Sequence, residues 1–418
     1  MLTEIILEAW TALKRNYTRS VLTMLGIVWG IATVTLLLAY GSSFRRILVS
    51  GFDAFGRSVV ICWPQQTSEQ PGGQRAGQKV VFEQADIDMI KETAPMVKYA
   101  CLETVRRPGI AYGDRMAGTA PIRGVCPQYG EMRNEVPEEG RWIDANDELE
   151  RRRVAFLGAR VREELFSGRP AVGETVLIAG IRFTVIGVMG RKIQLSNYFS
   201  SDDESVWIPY SAAGDLWNTR YGSVIVFEPI APQFEKPAMA QVLAAVATRQ
   251  HFSLTDKKAI QMFGRDEFRP VIEALTIGLQ VLLTFIGTLT LGIGGVGVMN
   301  IMLVSVDERI REIGLRRALG ARSWHIKFQF LAETMLIVML GGLIGVALSY
   351  AISAAVGTLP LMGPLFEDDS GKADIHLQIS VMTVTISTLV LLIVGVVSGM
   401  IPALRASKLD PVEALRYE

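Results

Sequence analysis

Long uncharged runs give this chain one membrane-length segment near its start and three near its end. Residues 21–40 contain no Asp, Glu, Lys or Arg, and similar runs cover residues 274–306, 328–356 and 379–404, with Glu333 as the only exception. About 20 apolar residues cross the hydrocarbon core of a bilayer as a helix, whereas soluble helices of this length keep a polar face. The pattern predicts four transmembrane helices, the second long enough to extend beyond the bilayer as a stalk.

Between the first two runs, the periodicity changes to that of a mixed α/β domain. Alternating apolar and polar residues predict strands at 58–63, 153–157, 205–210 and 223–227, and a hairpin over 175–188 that turns at Ala179-Gly180. Apolar residues three and four apart predict helices at 83–93, 159–166 and 237–251. Two polar stretches, 64–79 and 192–204, are predicted to be mobile loops.

The predicted fold class is therefore a membrane α-helical protein with four transmembrane helices, arranged one plus three. A large mixed α/β extracytoplasmic domain lies between the first and second spans. Ahead of the first span, apolar residues recur with helical spacing opposite Glu4, Glu8 and Lys14, which predicts an amphipathic helix in the membrane interface. A cleaved signal peptide is the alternative, but it would begin with a short basic region and end in small residues.

The distribution of Lys and Arg predicts the orientation in the membrane. Basic residues precede the first span, separate the second from the third and follow the fourth, whereas the loop after the third span is acidic. Because cytoplasmic loops carry the excess of Lys and Arg, both termini are predicted to be cytoplasmic, although Arg45 and Arg46 oppose this assignment. The predicted segments are 1–18 (interfacial helix), 19–44 (first span), 45–270 (outer domain), 271–306 (second span with stalk), 307–322 (cytoplasmic helix), 323–356 (third span), 357–378 (periplasmic loop), 379–404 (fourth span) and 405–418 (cytoplasmic tail).

Composition and motifs argue against several other functions. Lys+Arg and Asp+Glu number 42 each, so no net field attracts nucleic acid. The three histidines lie far apart, and a G-x-G-x-x-G match at Gly292, Gly294 and Gly297 lies inside an apolar span rather than after a strand, as a dinucleotide site requires. The sequence contains no G-x-x-x-x-G-K-[ST] motif. We therefore expect a non-enzymatic chain with no metal or cofactor of its own, and ATP bound by another polypeptide.

Cys62, Cys101 and Cys126 all lie in the predicted outer domain, where disulfides are permitted. Since their number is odd, the sequence allows either one disulfide or three free thiols. Glu333 is the one carboxylate within a span, about two turns from the predicted cytoplasmic end. We expect it to have a structural role, reaching the interface or pairing with a loop arginine.

Three G-x-x-x-G pairs occur in the spans and predict close helix packing. They are Gly26/Gly30, Gly341/Gly345 and Gly395/Gly399. Packing within one chain and packing at the seam of a dimer are both compatible with this pattern.

Residues 307–321 (DERIREIGLRRALGA) predict a helix that directly continues the second span. Apolar residues persist among its arginines, so we expect one face to contact a protein partner at the membrane surface. The alternative is a simple positive-inside anchor. Glu312 and Arg316 are four residues apart and are placed to form an ion pair on one helical face.

Several segments resemble the MacB-type, FtsX-like permeases of ABC transporters. They are REIGLRRALGA, the closing RASKLDPVEALRYE, and the outer stretches RRRVAFLGARVREELF, GETVLIAGIRFTVIGVMG and DDESVWIPYSAA. The resemblance implies a permease dimer, homodimeric or heterodimeric, whose cytoplasmic helix engages two copies of an ATPase subunit carrying ATP and Mg. It also implies that ATP hydrolysis changes the outer domains by mechanotransmission. The candidate ATPase-coupling residues are Arg309, Glu312, Arg316 and Arg317.

From this resemblance we expect a multi-pass inner-membrane permease of an ABC exporter of a drug, peptide or other toxic compound. A periplasmic adaptor and an outer-membrane duct are its expected further partners. The family's macrolide exporter carries a fused ATPase domain ahead of the amphipathic helix, so a chain that starts at this helix is expected to work with a separate ATPase. Two alternatives stay open: a lipoprotein-releasing permease, and a transmembrane regulator of an extracellular hydrolase that transports nothing.

Overall fold

The computed structural model describes residues 17–53, 56, 58–69, 76–192, 194, 197–361 and 374–416. It divides the chain into two compact units. We call Leu48–Glu273 the outer domain and the residues on either side of it the membrane unit. The predicted interfacial helix at 1–18 lies almost entirely outside the described residues.

The chain begins with α1 (Tyr17–Asp53) and then enters the outer domain. The elements of that domain are β1 (Val60–Pro64), α2 (Gln84–Thr93), β2 (Val97–Arg106), β3 (Ile110–Tyr112), β4 (Arg115–Ala117), β5 (Ile122–Val125), α3 (Tyr129–Arg133), β6 (Pro137–Gly140), α4 (Ala145–Leu149), β7 (Val154–Leu157), α5 (Ala159–Phe166), β8 (Thr175–Ile178), β9 (Ile181–Met189), β10 (Val206–Pro209), α6 (Tyr210–Ala213), β11 (Val224–Pro229), α7 (Glu235–Gln250) and β12 (Ile260–Phe263). The helices α8 (Arg265–Glu308), α9 (Ile310–Ala318) and α10 (Ser323–Val356) follow. The chain then forms β13 (Thr358–Leu359), β14 (Ile375–His376), α11 (Val381–Ser407) and α12 (Pro411–Arg416).

One mixed sheet organises the outer domain. Its strand order is β12-β1-β11-β2-β5-β10-β7-β9-β8-β3-β4, with β6 added on β9. The predicted hairpin is confirmed: β8 and β9 pair antiparallel, and Ala179 and Gly180 both have positive φ angles, of 49° and 80°. Such angles match the two-residue turn whose twist suits a hairpin. The other predicted strands and helices of this domain are found within a few residues of their expected ends.

The cysteines of the outer domain resolve into one disulfide and one thiol. Cys101 on β2 is bonded to Cys126, which directly follows β5, and those two strands are antiparallel neighbours. Cys62 on β1 is a buried free thiol, and burial strongly raises its pKa. Of the two alternatives that the sequence allows, the structure has one disulfide and one free thiol, not three free thiols.

Within the described part of the chain, four helices are long and apolar enough to cross a membrane. They are Met24–Gly51, Arg269–Glu308, Ser323–Val356 and Val381–Ser407. At a rise of about 1.5 Å per residue, the 44 residues of α8 extend over about 66 Å, roughly twice the hydrocarbon thickness. The predicted fold class, four membrane helices arranged one plus three around a mixed α/β domain, is confirmed.

The predicted continuation of the second span into residues 307–321 is wrong in one detail. The helix is interrupted at Arg309, whose φ of −113° and ψ of 18° are not helical. α9 is therefore a separate helix that follows a break in the backbone, and it can take its own direction.

Each of the three glycine pairs faces a neighbouring helix of the same chain. Gly26 and Gly30 on α1 lie against Gly294 and Leu291 of α8; Gly341 and Gly345 on α10 lie against Ile27, Val28 and Ile31 of α1; Gly395 and Gly399 on α11 lie against Met335, Val338 and Thr334 of α10. The contacts at Gly345 are the tightest. An added Cβ there would lie 1.8 Å from Ile31 Cγ2 and 2.7 Å from the Val28 carbonyl oxygen.

Candidate functional site

The candidate functional site is α9, the short charged helix between the second and third spans. Its end is fixed by glycine chemistry: Gly320 has a φ of 98°, its N–H donates to the Arg317 carbonyl at 3.0 Å, and the Ala321 N–H donates to the Arg316 carbonyl at 3.0 Å. This bond pattern is the Schellman motif, which needs a residue that tolerates the left-handed conformation. Residues 318–321 (ALGA) therefore terminate α9.

The inner face of α9 packs against the rest of the membrane unit. Ile310, Ile313 and Gly314 are buried. A Cβ added to Gly314 would lie only 2.6 Å from the Cβ of Ala414 on α12. Because real Cβ contacts are not that short, the approach of α12 to α9 depends on glycine at this position.

The outer face of α9 combines exposed apolar and charged side chains. Leu315 is 54% exposed and Leu319 is 81% exposed, and Arg311 and Glu312 are exposed beside them. Leu315 and Leu319 are four residues apart, so they lie on one side of the helix. Exposed apolar side chains rimmed by charges can form a contact with another protein or with the membrane surface.

Arg309, at the break before α9, connects it to the third span. Its guanidinium Nη1 lies 3.4 Å from Glu333 Oε2, and the Glu333 side chain is only 8% exposed. The expectation that Glu333 pairs with a loop arginine is confirmed. Removal of one partner would leave the other charge without this compensation in a poorly solvated place.

Arg316 makes a second connection to the third span. It donates at 2.7 Å to Gln329 Oε1 on α10 and at 2.7 Å to Glu312 Oε1 one turn back. The predicted ion pair between Glu312 and Arg316 is confirmed, and it is half exposed. An exposed pair of this kind stabilises a helix by only about 0.2–0.5 kcal/mol.

Arg317 connects α9 to the end of the fourth span. It donates to the carbonyl oxygen of Ser407 at 3.2 Å and to the carbonyl oxygen of Leu409. The last carbonyls of a helix lack intrahelical partners and carry the negative end of its dipole. Arg317 therefore satisfies the C-terminal end of α11 and holds it to α9.

All four predicted coupling residues are thus engaged inside the chain. Arg309, Arg316 and Arg317 bind α10 and the end of α11, and Glu312 binds Arg316. None of the residues that face outward, Arg311, Leu315 and Leu319, is among the four predicted coupling residues. The sequence feature that could have identified this face is the pair of leucines four residues apart, Leu315 and Leu319, among charged residues.

A second group of functional interest is a buried charged cluster in the outer domain. Arg123 donates to Glu103 at 3.2 Å and to the carbonyl oxygens of Tyr198 and Ser200 at 3.0 and 3.1 Å. Arg133 binds both carboxylate oxygens of Asp202, at 2.9 and 3.0 Å. Both arginines are fully buried. The prediction of a mobile loop over 192–204 is therefore wrong, because the described part of this stretch is held in the interior by charge-assisted hydrogen bonds.

The acidic members of this cluster differ in their proton affinity. Lys192 Nζ lies 3.3 Å from Glu135 Oε1 and 3.1 Å from Asp202 Oδ2. Burial, with Asp202 beside it, raises the pKa of Glu135 to about 8. Although burial opposes it, the charges of Arg133 and Lys192 hold the pKa of Asp202 well below its usual range. Burial also raises the pKa of the neighbouring Asp203 to about 7.

The described residues contain no group of three or more His, Cys, Asp or Glu side chains placed to hold a metal ion. The cluster pairs its own charges inside the domain. We therefore treat it as the support of the outer domain and α9 as the candidate site.

Comparison with known proteins matches nearly the whole chain. Residues 20–246 match the family described as MacB-like periplasmic core domain, and residues 284–411 match the family described as FtsX-like permease C-terminal. The macrolide export ATP-binding/permease protein MacB of Bdellovibrio bacteriovorus is 30% identical over 416 residues, which cover 98% of this chain and 61% of the relative. The protein of the same name in Chromobacterium violaceum is 32% identical over 418 residues, 100% of this chain and 61% of the relative.

The chain thus spans 61% of the length of these two relatives. Among solved structures, the periplasmic region of MacB from Actinobacillus actinomycetemcomitans aligns with a TM-score of 0.43 at 16% identity. That alignment covers 55% of this chain and 98% of the other.

Proposed function

This chain belongs to the family of MacB-like permeases, with an FtsX-like C-terminal part, and from that premise we propose that it is the permease of an ABC-type exporter. In this proposal a partner ATPase binds α9, and ATP hydrolysis on that partner changes the conformation of the outer domain. The chain is a multi-pass inner-membrane protein. We place both termini and α9 in the cytoplasm, as the Lys and Arg distribution predicts.

The observation that carries this proposal is the division of α9 into two functional faces. Arg311, Leu315 and Leu319 are exposed on one side. On the other, Arg309, Arg316 and Arg317 attach the helix to α10 and to the end of α11. A helix that only anchored the topology would need the positive charge but neither the exposed leucines nor the attachments. A helix that transmits a force needs both.

The connections of the spans to the outer domain offer a route for that force. α1 leads into β1, and β12 ends two residues before α8 begins. β1 and β12 are antiparallel neighbours, with Ile61 opposite Phe263. A displacement of α1 against α8 would therefore act on two strands that share hydrogen bonds.

For the cargo and the assembly we propose efflux of a drug, peptide or other toxic compound, because the relatives are named as macrolide exporters. Two permease copies and two ATPase subunits, carrying ATP and Mg, would form the core. A periplasmic adaptor and an outer-membrane duct would complete the path. In this scheme Arg309, Arg316 and Arg317 position α9, while Glu312 and the exposed leucines meet the ATPase.

The test is ATPase activity and macrolide export by the permease reconstituted with an ABC ATPase from the same organism. We expect Leu315→Asp to abolish stimulation of the ATPase while leaving insertion and thermal stability unchanged, since Leu315 is exposed. Arg309→Gln should instead lower the stability of the permease itself, because the poorly solvated Glu333 then loses the ion pair with Arg309.

Wild-type ATPase stimulation in the Leu315→Asp variant would show that the ATPase docks elsewhere. Stimulation without any macrolide export would point to another cargo. Copurification with a second, different permease would favour lipoprotein release, and copurification with a peptidoglycan hydrolase would favour the regulator.

A further inference from the structure

The start of the third span carries an exposed group of aromatic and basic side chains. Trp324 is 56% exposed and Phe328 is 57% exposed, and their ring centroids are 6.5 Å apart. Trp324, Lys327 and Phe328 are three and four residues apart, so they share one face of α10. Arg322, which is also exposed, is the N-cap residue directly before this helix. We call these four residues the basic-aromatic face of α10.

The two basic residues of this face have no acidic partner within the described part of the chain. Residues 313–332 contain no Asp or Glu, and among the residues that the structure describes neither Arg322 nor Lys327 makes an ion pair or a side-chain hydrogen bond. Arg309 and Arg316, by contrast, are paired with carboxylates of the chain. The positive charge of the basic-aromatic face is therefore available to an external anion.

The position of this face along α10 places it at the level of the lipid headgroups. Tyr350, near the other end of the same span, is also exposed and follows Trp324 by 26 residues. At about 1.5 Å per residue, the two side chains are separated by about 39 Å along the helix axis. A bilayer with its headgroups is about 40–45 Å thick, and exposed Trp and Tyr residues are enriched at its two interfaces. Trp324 is thus level with one headgroup layer and Tyr350 with the other.

Apolar side chains continue from this face toward the middle of the span. Met339 and Leu343 are both exposed. Met339 follows Phe328 by 11 residues, which is close to three helical turns, and Leu343 follows one turn later. Phe328, Met339 and Leu343 therefore form one apolar stripe that begins at the basic-aromatic face and runs into the hydrocarbon region.

We propose that the basic-aromatic face of α10 binds an anionic phospholipid. Arg322 and Lys327 bind the phosphate, Trp324 lies beside the glycerol region, and Phe328 begins the stripe that receives the acyl chains. The occupant is a lipid because cations, interfacial ring and apolar stripe follow one another in the order in which such a lipid presents its headgroup, ester region and chains. Basic residues at a membrane surface attract anionic lipids. This inference concerns the third span and does not depend on where an ATPase binds.

The test is a lipid titration of the delipidated full-length permease in a non-ionic detergent, with bound lipid counted by native mass spectrometry. The probes are dioleoylphosphatidylglycerol and dioleoylphosphatidylcholine, which share their acyl chains and differ in headgroup charge. We expect the wild type to prefer phosphatidylglycerol. In Arg322→Gln/Lys327→Gln the preference should fall about tenfold, since two surface charges no longer attract the headgroup.

Two further variants separate lipid recognition from folding and from net charge. Lys257→Gln/Lys258→Gln is the matched control, because it removes two exposed charges from the outer domain and should keep the preference. Arg322→Lys/Lys327→Arg keeps both charges of the face. It should also keep the preference, because either cation binds a phosphate.

Each contrary outcome overturns the inference in a different way. An unchanged preference in Arg322→Gln/Lys327→Gln would show that these residues only set the topology of the span, as the positive-inside effect requires. Loss of the preference in the charge-preserving exchange as well would show that the face has a structural role. Displacement of phosphatidylglycerol by inorganic phosphate alone would identify a site for a soluble anion rather than for a lipid.

Discussion

At the scale of single residues, the outer domain contains a cluster of buried charges that the sequence analysis did not predict. Arg123 and Arg133 have no exposed surface, and their partners include Glu103, Tyr198 and Asp202. A buried ion that loses its partner is strongly destabilising. We therefore regard this cluster as the feature that fixes residues 197–204 against the sheet.

The cluster also makes the stability of the chain depend on pH. The pKa of Glu135 is raised to about 8 from 4.5, so folding favours its protonated form. The contribution of Glu135 protonation to the free energy of unfolding is fully present below about pH 4.5, and it is lost as the pH rises through about 8. Glu135→Gln keeps an oxygen that can accept from Lys192 and cannot ionise. Between pH 6 and pH 9 we expect the Tm of both proteins to fall. The fall should be smaller for Glu135→Gln than for the wild type, and the difference between the two falls should be about 3 °C or more.

Thermal unfolding of the full-length protein in detergent at a series of pH values measures this effect. Glu138→Gln is the matched control, because Glu138 is exposed nearby and the substitution should leave the pH dependence of Tm unchanged. Parallel Tm curves for Glu135→Gln and the wild type would show that Glu135 stays ionised in the folded state.

At the scale of helices, close packing within the membrane unit depends on specific glycines. Gly345→Ala should destabilise the membrane unit by about 1–3 kcal/mol, because the new methyl would overlap Ile31 and the Val28 backbone. Gly292→Ala on α8 is the control, since its added Cβ would have no heavy atom within 4 Å. We expect it to be neutral or slightly stabilising, as alanine favours helix more than glycine does.

Unfolding of the two variants in detergent, followed by fluorescence, compares them directly. Equal stability of Gly345→Ala and Gly292→Ala would mean that α1 and α10 are not in contact at Gly345. A change in the dimer fraction without a change in the stability of each chain would instead place Gly345 at a seam between two copies.

The helices and strands show what the sequence can and cannot predict. Long runs without charged residues located the four spans, and the hairpin over 175–188 was found because Ala179-Gly180 breaks a clear alternation. β2 was missed, since six consecutive residues of that strand are buried and no alternation marks it. The sequence predicted that Glu333 pairs with a loop arginine, although not which one. The attachment of Arg317 was missed because its partner Ser407 lies 90 residues away along the chain.

At the scale of the whole molecule, the state of the cysteines makes the orientation easy to test. Cys101 and Cys126 are bonded and Cys62 is buried, so the native chain should react little with an impermeant maleimide. In spheroplasts, Leu254→Cys should be labelled, because it is exposed on a domain predicted to be extracytoplasmic. Lys408→Cys, exposed at the end of the fourth span, should be labelled only after lysis.

Labelling of Lys408→Cys in intact spheroplasts, with protection of Leu254→Cys, would reverse the assigned orientation. It would also place α9 and α12 on the side without ATP, and the proposed function would then fail. Labelling of both positions only after lysis would show that the outer domain is not translocated.

The neighbouring positions of β1 and β12 also bear on how such a chain could arise. The outer domain enters on β1 and leaves on β12, and these paired strands lie about 5 Å apart. A domain whose two ends meet can be inserted into a host loop, or removed from it, without stretching the host. The outer domain could therefore be exchanged for another domain with equally closely spaced ends without rearrangement of the membrane unit.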